Sequence, residues 1–212
     1  MKKIIVFLVV VIMMQTTGFA EKVGFEALIY PKEDVSFPSE WAEESVKNAE
    51  KFEITDENKE YDYTSSISRE EFCNLVYNTI KAVTKTDIPA GKNKFTDTKN
   101  EKIVALAELG VINGKSETQF APDDSLTREE AATIIVRMIN KVKPMEVTEM
   151  WFEYDDIKEV SNWASDAVQT ISNLGFMNGV GGNKFAPKDT YTTEQAIATL
   201  VRVCNAYEEG GE

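Results

Sequence analysis

The stretch Gly110–Ala132, GVINGKSETQFAPDDSLTREEAA, decides the fold because the chain contains it again. Gly175–Ile197, GFMNGVGGNKFAPKDTYTTEQAI, has the same length, two glycines in the same places and the same Phe-Ala-Pro. A more divergent third copy spans Trp41–Ile80. Repetition on this scale indicates one supersecondary unit used several times, with the apolar face of each unit buried against its neighbours.

A hydroxyl residue begins the second half of each copy. Ser68–Glu71, Thr127–Glu130 and Thr192–Gln195 all fit the capping box, with the hydroxyl at the N-cap and a carboxylate or amide three residues later. Gly110 and Gly175 follow an apolar stripe with helical spacing and predict the end of a preceding helix. We therefore predict an all-α chain of three helix-loop-helix repeats.

Spacing places these repeats along the chain. Arg69 and Arg128 are 59 residues apart, whereas Arg128 and Thr193 are 65 apart, and we assign the six extra residues to a loop insertion after Asp156. The first repeat is degenerate, with Phe52 where the others have glycine and no Phe-x-Pro. The predicted organisation is a lead-in at 21–34, repeats at 35–83, 93–140 and 151–207, and a linker at 141–150.

The first twenty residues have the features of an export signal. Lys2 and Lys3 precede the apolar run Ile4–Met14, and the small residues Gly18 and Ala20 lie at the two positions that signal peptidase recognises before a cut after Ala20. The run is too short for a membrane-spanning helix, which needs about 20 apolar residues. We expect a cleaved secretory signal at residues 1–20, with an uncleaved anchor as the alternative.

Charge and composition exclude several classes of function. The 212 residues carry a formal net charge of −13 and no histidine. Such acidity argues against nucleic-acid binding, which needs a basic surface, and against adhesion to an anionic membrane. The absence of histidine removes the commonest general base and most zinc sites, so we predict no enzyme, no cofactor and no metal site.

The two cysteines are too few for a disulfide framework. The repeat alignment places Cys73 in the column of Ala132 and Ile197, and Cys204 in a column of isoleucines. We predict that both are small core residues. A bridge between the first and last repeats is the alternative.

The order of motifs resembles the surface-layer homology repeat of bacterial cell-envelope proteins. The second and third repeats carry an aromatic-x-Asp opening, Leu-Gly-x-x-Asn-Gly, Phe-Ala-Pro and a Thr-led helix start, and the first and third carry Trp-Ala. The resemblance covers residues 35–207. It implies a pseudo-threefold helical module, secreted and located at the cell wall, that binds anionic and often pyruvylated secondary wall polysaccharide noncovalently in grooves between repeats.

Two arginines are the first candidate ligands for such an anion. Arg69 and Arg128 occupy the first position of predicted helices, where the helix dipole disfavours a cation by some tenths to about 1 kcal/mol. Free N–H groups at a helix start bind anions, and a guanidinium fork suits carboxylate or phosphate. Pairing with a nearby acid of the protein is the alternative. Thr193 replaces the arginine in the third repeat, so we expect its groove to bind weakly or to serve packing.

The resemblance adds the other candidates. It implies that the opening aspartates and the Trp-Ala tryptophans line the neighbouring side of a groove, and a half-buried aromatic at a helix start is the alternative for each tryptophan. The glycines would allow close approach of backbone to ligand, and turn geometry is the alternative explanation for them. The candidate glycan-binding residues are thus Arg69, Arg128, Asp97, Asp156, Trp41, Trp163, Gly114 and Gly179. A different class of function remains open, a protein-interaction or lattice-forming surface module without glycan binding.

Overall fold

This computed structural model describes residues 36–147 and 153–210. Six α-helices and two short 3₁₀ helices lie within these ranges. No strand occurs within these ranges, which confirms the all-α prediction. The predicted signal peptide, the lead-in and the end of the predicted linker lie outside the described residues. The helices are α1 (Glu43–Lys51), α2 (Arg69–Thr84), α3 (Glu101–Glu108), α4 (Arg128–Val142), α5 (Ser165–Asn173) and α6 (Thr193–Glu209), with 3₁₀ helices at Glu40–Ala42 and Ile157–Glu159.

The predicted caps start the three long helices. Thr127 and Thr192 form complete capping boxes before α4 and α6, with hydrogen bonds in both directions. Ser68 accepts from the Glu71 N–H before α2, but the Glu71 carboxylate pairs with Lys59 at 2.9 Å. Two of the three boxes are thus complete and the third is half formed.

The short helices end as the glycines predict, with one correction. Gly110 and Gly175 follow α3 and α5 with φ of +76° and +70°. In the first repeat the equivalent left-handed residue is Glu53, with φ +58°, and not Phe52. Assigning Phe52 to the glycine column was therefore wrong by one residue, because a non-glycine residue takes the left-handed conformation after α1.

The short helices pack across repeats. α3 of the second repeat packs against α2 of the first, α5 of the third packs against α4 of the second, and α1 of the first packs against α6 of the third. The long helix α2 also contacts α4 and α6. Each short helix therefore covers the apolar face of the preceding repeat in a cyclic order.

Three backbone hydrogen bonds close a ring just before the long helices. The Ile67 N–H donates to the Tyr191 carbonyl at 2.8 Å, Tyr191 donates to Leu126 at 2.8 Å, and Leu126 donates to Ile67 at 3.3 Å. The side chains of all three are buried. The ring fixes the starts of α2, α4 and α6 relative to one another.

Cys73 and Cys204 are buried and free, which agrees with their prediction as core residues. Burial raises the pKa of each thiol to about 12. No helix among residues 36–147 and 153–210 is long and apolar enough to cross a membrane.

Candidate functional site

Arg128 starts α4 and is 5% exposed. Its Nε donates to the Phe185 carbonyl and its Nη2 to the Asn178 carbonyl, both at 2.8 Å. The guanidinium carbon lies 5.0 Å from the centre of the Phe185 ring. Burial lowers the pKa of Arg128 from its usual value. The side chain thus joins the start of α4 to the loop of the third repeat.

Arg69 makes the same contacts one repeat earlier. Its Nε donates to the Phe120 carbonyl at 3.1 Å and its Nη2 to the Asn113 carbonyl at 3.2 Å. The guanidinium carbon lies 4.8 Å from the centre of the Phe120 ring. Both arginines are therefore held by backbone carbonyls of the next repeat, and neither forms an ion pair with an acid among residues 36–147 and 153–210.

The backbone N–H groups at the helix starts already have partners. The N–H of Arg128 donates to Asp189 and that of Glu129 to Pro187 in the third repeat. The N–H of Arg69 donates to Asp124 and that of Glu70 to Pro122 in the second. The expectation that free N–H groups at these helix starts would bind an anion is therefore wrong, because loop carbonyls of the next repeat accept those hydrogen bonds.

Groove 1 is a cavity of about 300 Å³ beside Arg128. Trp41 of the first repeat, Arg128 of the second and Gly179 of the third line it together. Residues from all three repeats thus meet in one groove. The remaining lining residues are Met177, Asn178, Val180, Tyr191, Thr192, Glu194, Gln195, Ala198, Thr199 and Arg202.

Groove 2 is the equivalent cavity beside Arg69, with a volume of about 190 Å³. Arg69, Gly114 and Trp163 come from the first, second and third repeats. An ion pair of 2.8 Å joins Lys115 and Glu130 in this groove, where groove 1 has Val180 and Gln195. The other lining residues are Asn113, Thr133, Ile134 and Arg137.

Both tryptophans present large exposed surfaces at these grooves. Trp41 is 54% exposed and Trp163 is 57% exposed. Trp41 lies just before α1 of the first repeat, and Trp163 lies just before α5 of the third repeat. Each of these repeats forms one side of the groove that its tryptophan lines. Exposed indole rings beside a cation can stack on a sugar ring.

Gly114 and Gly179 are required by their own loops. A Cβ atom on Gly114 would lie 2.5 Å from the carbonyl oxygens of Ser116 and Gln119. A Cβ atom on Gly179 would lie 2.6 Å from the Lys184 carbonyl oxygen. Close packing explains both glycines before any ligand is considered.

Asp97 and Asp156 do not line groove 1 or groove 2. The Asp156 carboxylate accepts the N–H groups of Phe185 and Ala186 at 2.9 and 2.8 Å. Asp97 accepts the equivalent N–H groups of the second repeat, and these hydrogen bonds lower its pKa. The aspartates thus hold the Phe-Ala-Pro turns whose carbonyls receive the arginines, and direct contact with a glycan stays a prediction for both.

Sequence reasoning missed a second arginine in each groove. Arg137 lies in groove 2 and Arg202 in groove 1, each nine residues after the first residue of its long helix. The equal distance of Arg137 and Arg202 from the starts of their helices is the sequence signal that could have identified them.

Groove 3 completes the set with different residues. It has a volume of about 240 Å³ and lies between the first and second repeats. Thr193, which takes the arginine position here, is 2% exposed and is not part of the lining. The lining residues are Asp56, Lys59, Tyr61, Glu71, Asn74, Asn78, Asn100 and Lys102.

A family comparison matches both complete sequence copies. The S-layer homology domain model matches residues 94–132 and 153–197. Two segments of the chain thus match the S-layer homology domain. The match leaves the first repeat uncovered, so the arrangement of three family repeats in a pseudo-threefold module stays a prediction. Within the two matched segments lie the loops that hold both buried arginines.

Relatives of the chain include enzymes and surface proteins. It is 36% identical over 114 residues to an endoglucanase of Bacillus sp. (strain KSM-635), covering 50% of this chain and 12% of that protein. It is 28% identical over 122 residues to a cellulosome-anchoring protein of Acetivibrio thermocellus, covering 53% of this chain and 27% of that protein. It is 27% identical over 128 residues to the surface-layer 125 kDa protein of Lysinibacillus sphaericus, covering 60% and 10%.

The chain therefore spans about a quarter or less of the length of each of these relatives. The S-layer homology domain is a non-catalytic anchoring module, and the domain match and the surface relatives support a location at the cell surface or cell wall. Within the described residues no cluster of three His, Cys, Asp or Glu side chains is arranged to hold a metal ion.

Proposed function

We propose that this S-layer homology chain is a noncovalent wall anchor that binds an anionic, often pyruvylated, secondary wall polysaccharide in grooves 1 and 2. The observation that carries the proposal is the meeting of an exposed tryptophan with two arginines in each groove. A sugar ring stacked on the indole would place an acidic substituent beside guanidinium groups. The surface relatives favour the same role.

The second arginine makes the anion site possible. Two nitrogens of Arg128, Nε and Nη2, donate to loop carbonyls, and its Nη1 makes no hydrogen bond within the described part of the chain. Arg202 is exposed, with Nη1 bound to the Phe176 carbonyl. Groove 1 therefore offers free N–H donors from two cations to one carboxylate.

Local charge has to overcome the charge of the whole chain. The formal net charge of −13 repels an anionic polymer at long range. The Glu194 carboxylate beside groove 1 is occupied by the N–H and hydroxyl of Ser39 at 2.8 and 2.9 Å. The acid of the groove 1 lining is thus held by neutral donors, and two arginines outnumber it there.

The test uses the tryptophans, because the arginines also hold the fold. Purified protein-free sacculi are incubated with the wild-type chain and with a Trp41→Ala, Trp163→Ala double variant, and the bound fraction is measured. Loss of one stacking contact of about 1.4 kcal/mol lowers affinity about tenfold, so we expect the double variant to lose most retention. Phe37→Ala is the matched control, since Phe37 is 71% exposed and lines neither groove.

Stripping the secondary polymer from the sacculi separates the two classes of function. The anchor proposal requires wild-type retention to disappear on stripped walls. Equal retention on stripped and complete walls would refute it and would favour the protein-interaction or lattice-forming module. Such a module would use the same exposed tryptophans to contact another protein chain.

A further inference from the structure

Groove 3 occupies the equivalent place in the cyclic arrangement but lacks the chemistry of an anion site. Its lining contains no arginine and no tryptophan, and asparagines supply three of the eight lining residues. Its volume, about 240 Å³, lies between those of the other two grooves. Groove 3 therefore has room for a ligand similar in size to those of grooves 1 and 2 but different in charge.

The charges of groove 3 balance, and two of the four form an ion pair with each other. Lys59 and Glu71 form an ion pair of 2.9 Å. The Lys102 ammonium donates to the Asn78 side-chain oxygen at 2.8 Å. With Asp56, the lining holds two cations and two anions. Groove 2, in contrast, has three cations and one anion in its lining.

Hydrogen bonds orient the asparagines at the centre of groove 3. The Asn100 side-chain nitrogen donates to the Asn74 Oδ1 at 2.9 Å and to Glu70 at 2.8 Å. The Asn74 amide oxygen is thereby occupied, and its Nδ2 makes no hydrogen bond within residues 36–147 and 153–210. Asn74 consequently has N–H donors available to a ligand.

Donors and acceptors therefore occur together in groove 3. Asn74 and Lys102 supply N–H groups, and the carboxylates of Asp56 and Glu71 keep unused lone pairs. A hydroxyl group donates and accepts at once, whereas a carboxylate ligand only accepts. Such a lining matches a polyol and disfavours an anion, which the two acids would repel.

We propose that groove 3 binds a neutral sugar unit of the wall glycan, while grooves 1 and 2 bind its acidic units. This inference rests on the proposed function, since it takes the partner to be a wall glycan. It assigns ligand chemistry to a groove that the loss of arginine at Thr193 had suggested to be weak or structural. The chain would then recognise two kinds of sugar along one polymer.

The experiment uses released wall polysaccharide whose carboxyl groups have been reduced to alcohols. Binding of this polymer and of the untreated polymer to the full chain is measured by titration calorimetry. Asn74→Ala removes the free amide of groove 3. Asn140→Ala is the matched control, because Asn140 is an exposed asparagine of the long helix α4 and lines none of the three grooves. Alanine is the best helix former, so both variants should fold, which far-ultraviolet circular dichroism checks.

The proposal expects the wild-type chain to bind the reduced polymer. It expects Asn74→Ala to weaken that binding about tenfold, as the loss of about 1.4 kcal/mol of hydrogen bonding implies, and Asn140→Ala to leave it unchanged. Binding of the untreated polymer without any binding of the reduced polymer would overturn the neutral-sugar proposal and leave the anchor proposal intact. Equal binding by wild type and Asn74→Ala would also overturn it, whereas failure to bind the untreated polymer would overturn the anchor proposal itself.

Discussion

Arg128 is a buried cation whose partners are backbone carbonyls and an aromatic ring. The oxygens of Asn178 and Phe185 take the place of a carboxylate, and the Phe185 ring lies below the guanidinium. Sequence reasoning identified the unusual position of the arginine at a helix start. It could not find these acceptors, because they lie 50 and 57 residues further along the chain.

We expect Arg128→Ala to lower the free energy of unfolding by about 3 kcal/mol, since two charge-assisted hydrogen bonds are lost and their carbonyls are left without a partner. Urea unfolding followed by circular dichroism measures the change. Arg202→Ala is the control and should cost about 1 kcal/mol or less, because Arg202 is exposed and has one such bond. Equal stability of Arg128→Ala and wild type would contradict a structural role for Arg128.

At the scale of single elements, local signals in the sequence located the helices well. Hydroxyl caps and left-handed glycines act within one turn of a helix, so the starts of α4 and α6 and the ends of α3 and α5 follow from nearby residues. The end of α1 was misplaced by one residue. Glu53 has no sequence signature of the left-handed conformation that it adopts.

That strained position at the end of α1 yields a stabilising substitution. Glu53→Gly should raise the free energy of unfolding by about 1 kcal/mol, because glycine adopts φ near +58° without the steric cost of a Cβ atom. Thermal unfolding is the measurement. The reverse change, Gly110→Ala at φ +76°, should lower stability by a similar amount, and a stabilising Gly110→Ala would argue against this account.

The packing of the whole molecule lay beyond sequence reasoning. Repetition indicated that neighbours bury one another's faces, but it did not show that each short helix covers the preceding repeat. The resemblance implied that arginine, tryptophan, glycine and aspartate residues line the same grooves; Arg128, Gly179 and Trp41 do meet in groove 1, whereas the aspartates lie outside it. The difference arises because a loop-holding aspartate and a ligand-contacting aspartate have the same sequence pattern.

Cyclic packing predicts cooperative unfolding of the whole array. The starts of α2, α4 and α6 each donate backbone N–H groups to another repeat, so loss of one repeat leaves polar groups without partners in the next. A chain truncated after residue 147 should therefore lose most of its helical signal in circular dichroism. The full chain should unfold in urea as one transition. A stable, helical truncated chain would show that the repeats fold independently.

The ring formed by Ile67, Leu126 and Tyr191 also bears on how the molecule would carry mechanical load. A pulling force applied to the end of α6 reaches the first and second repeats directly, through Tyr191, and does not have to pass along the chain in sequence order. The force is thereby shared from the start between two hydrogen bonds of Tyr191, one with Leu126 and one with Ile67. In an array whose repeats were joined only end to end, the least stable repeat would instead unfold first.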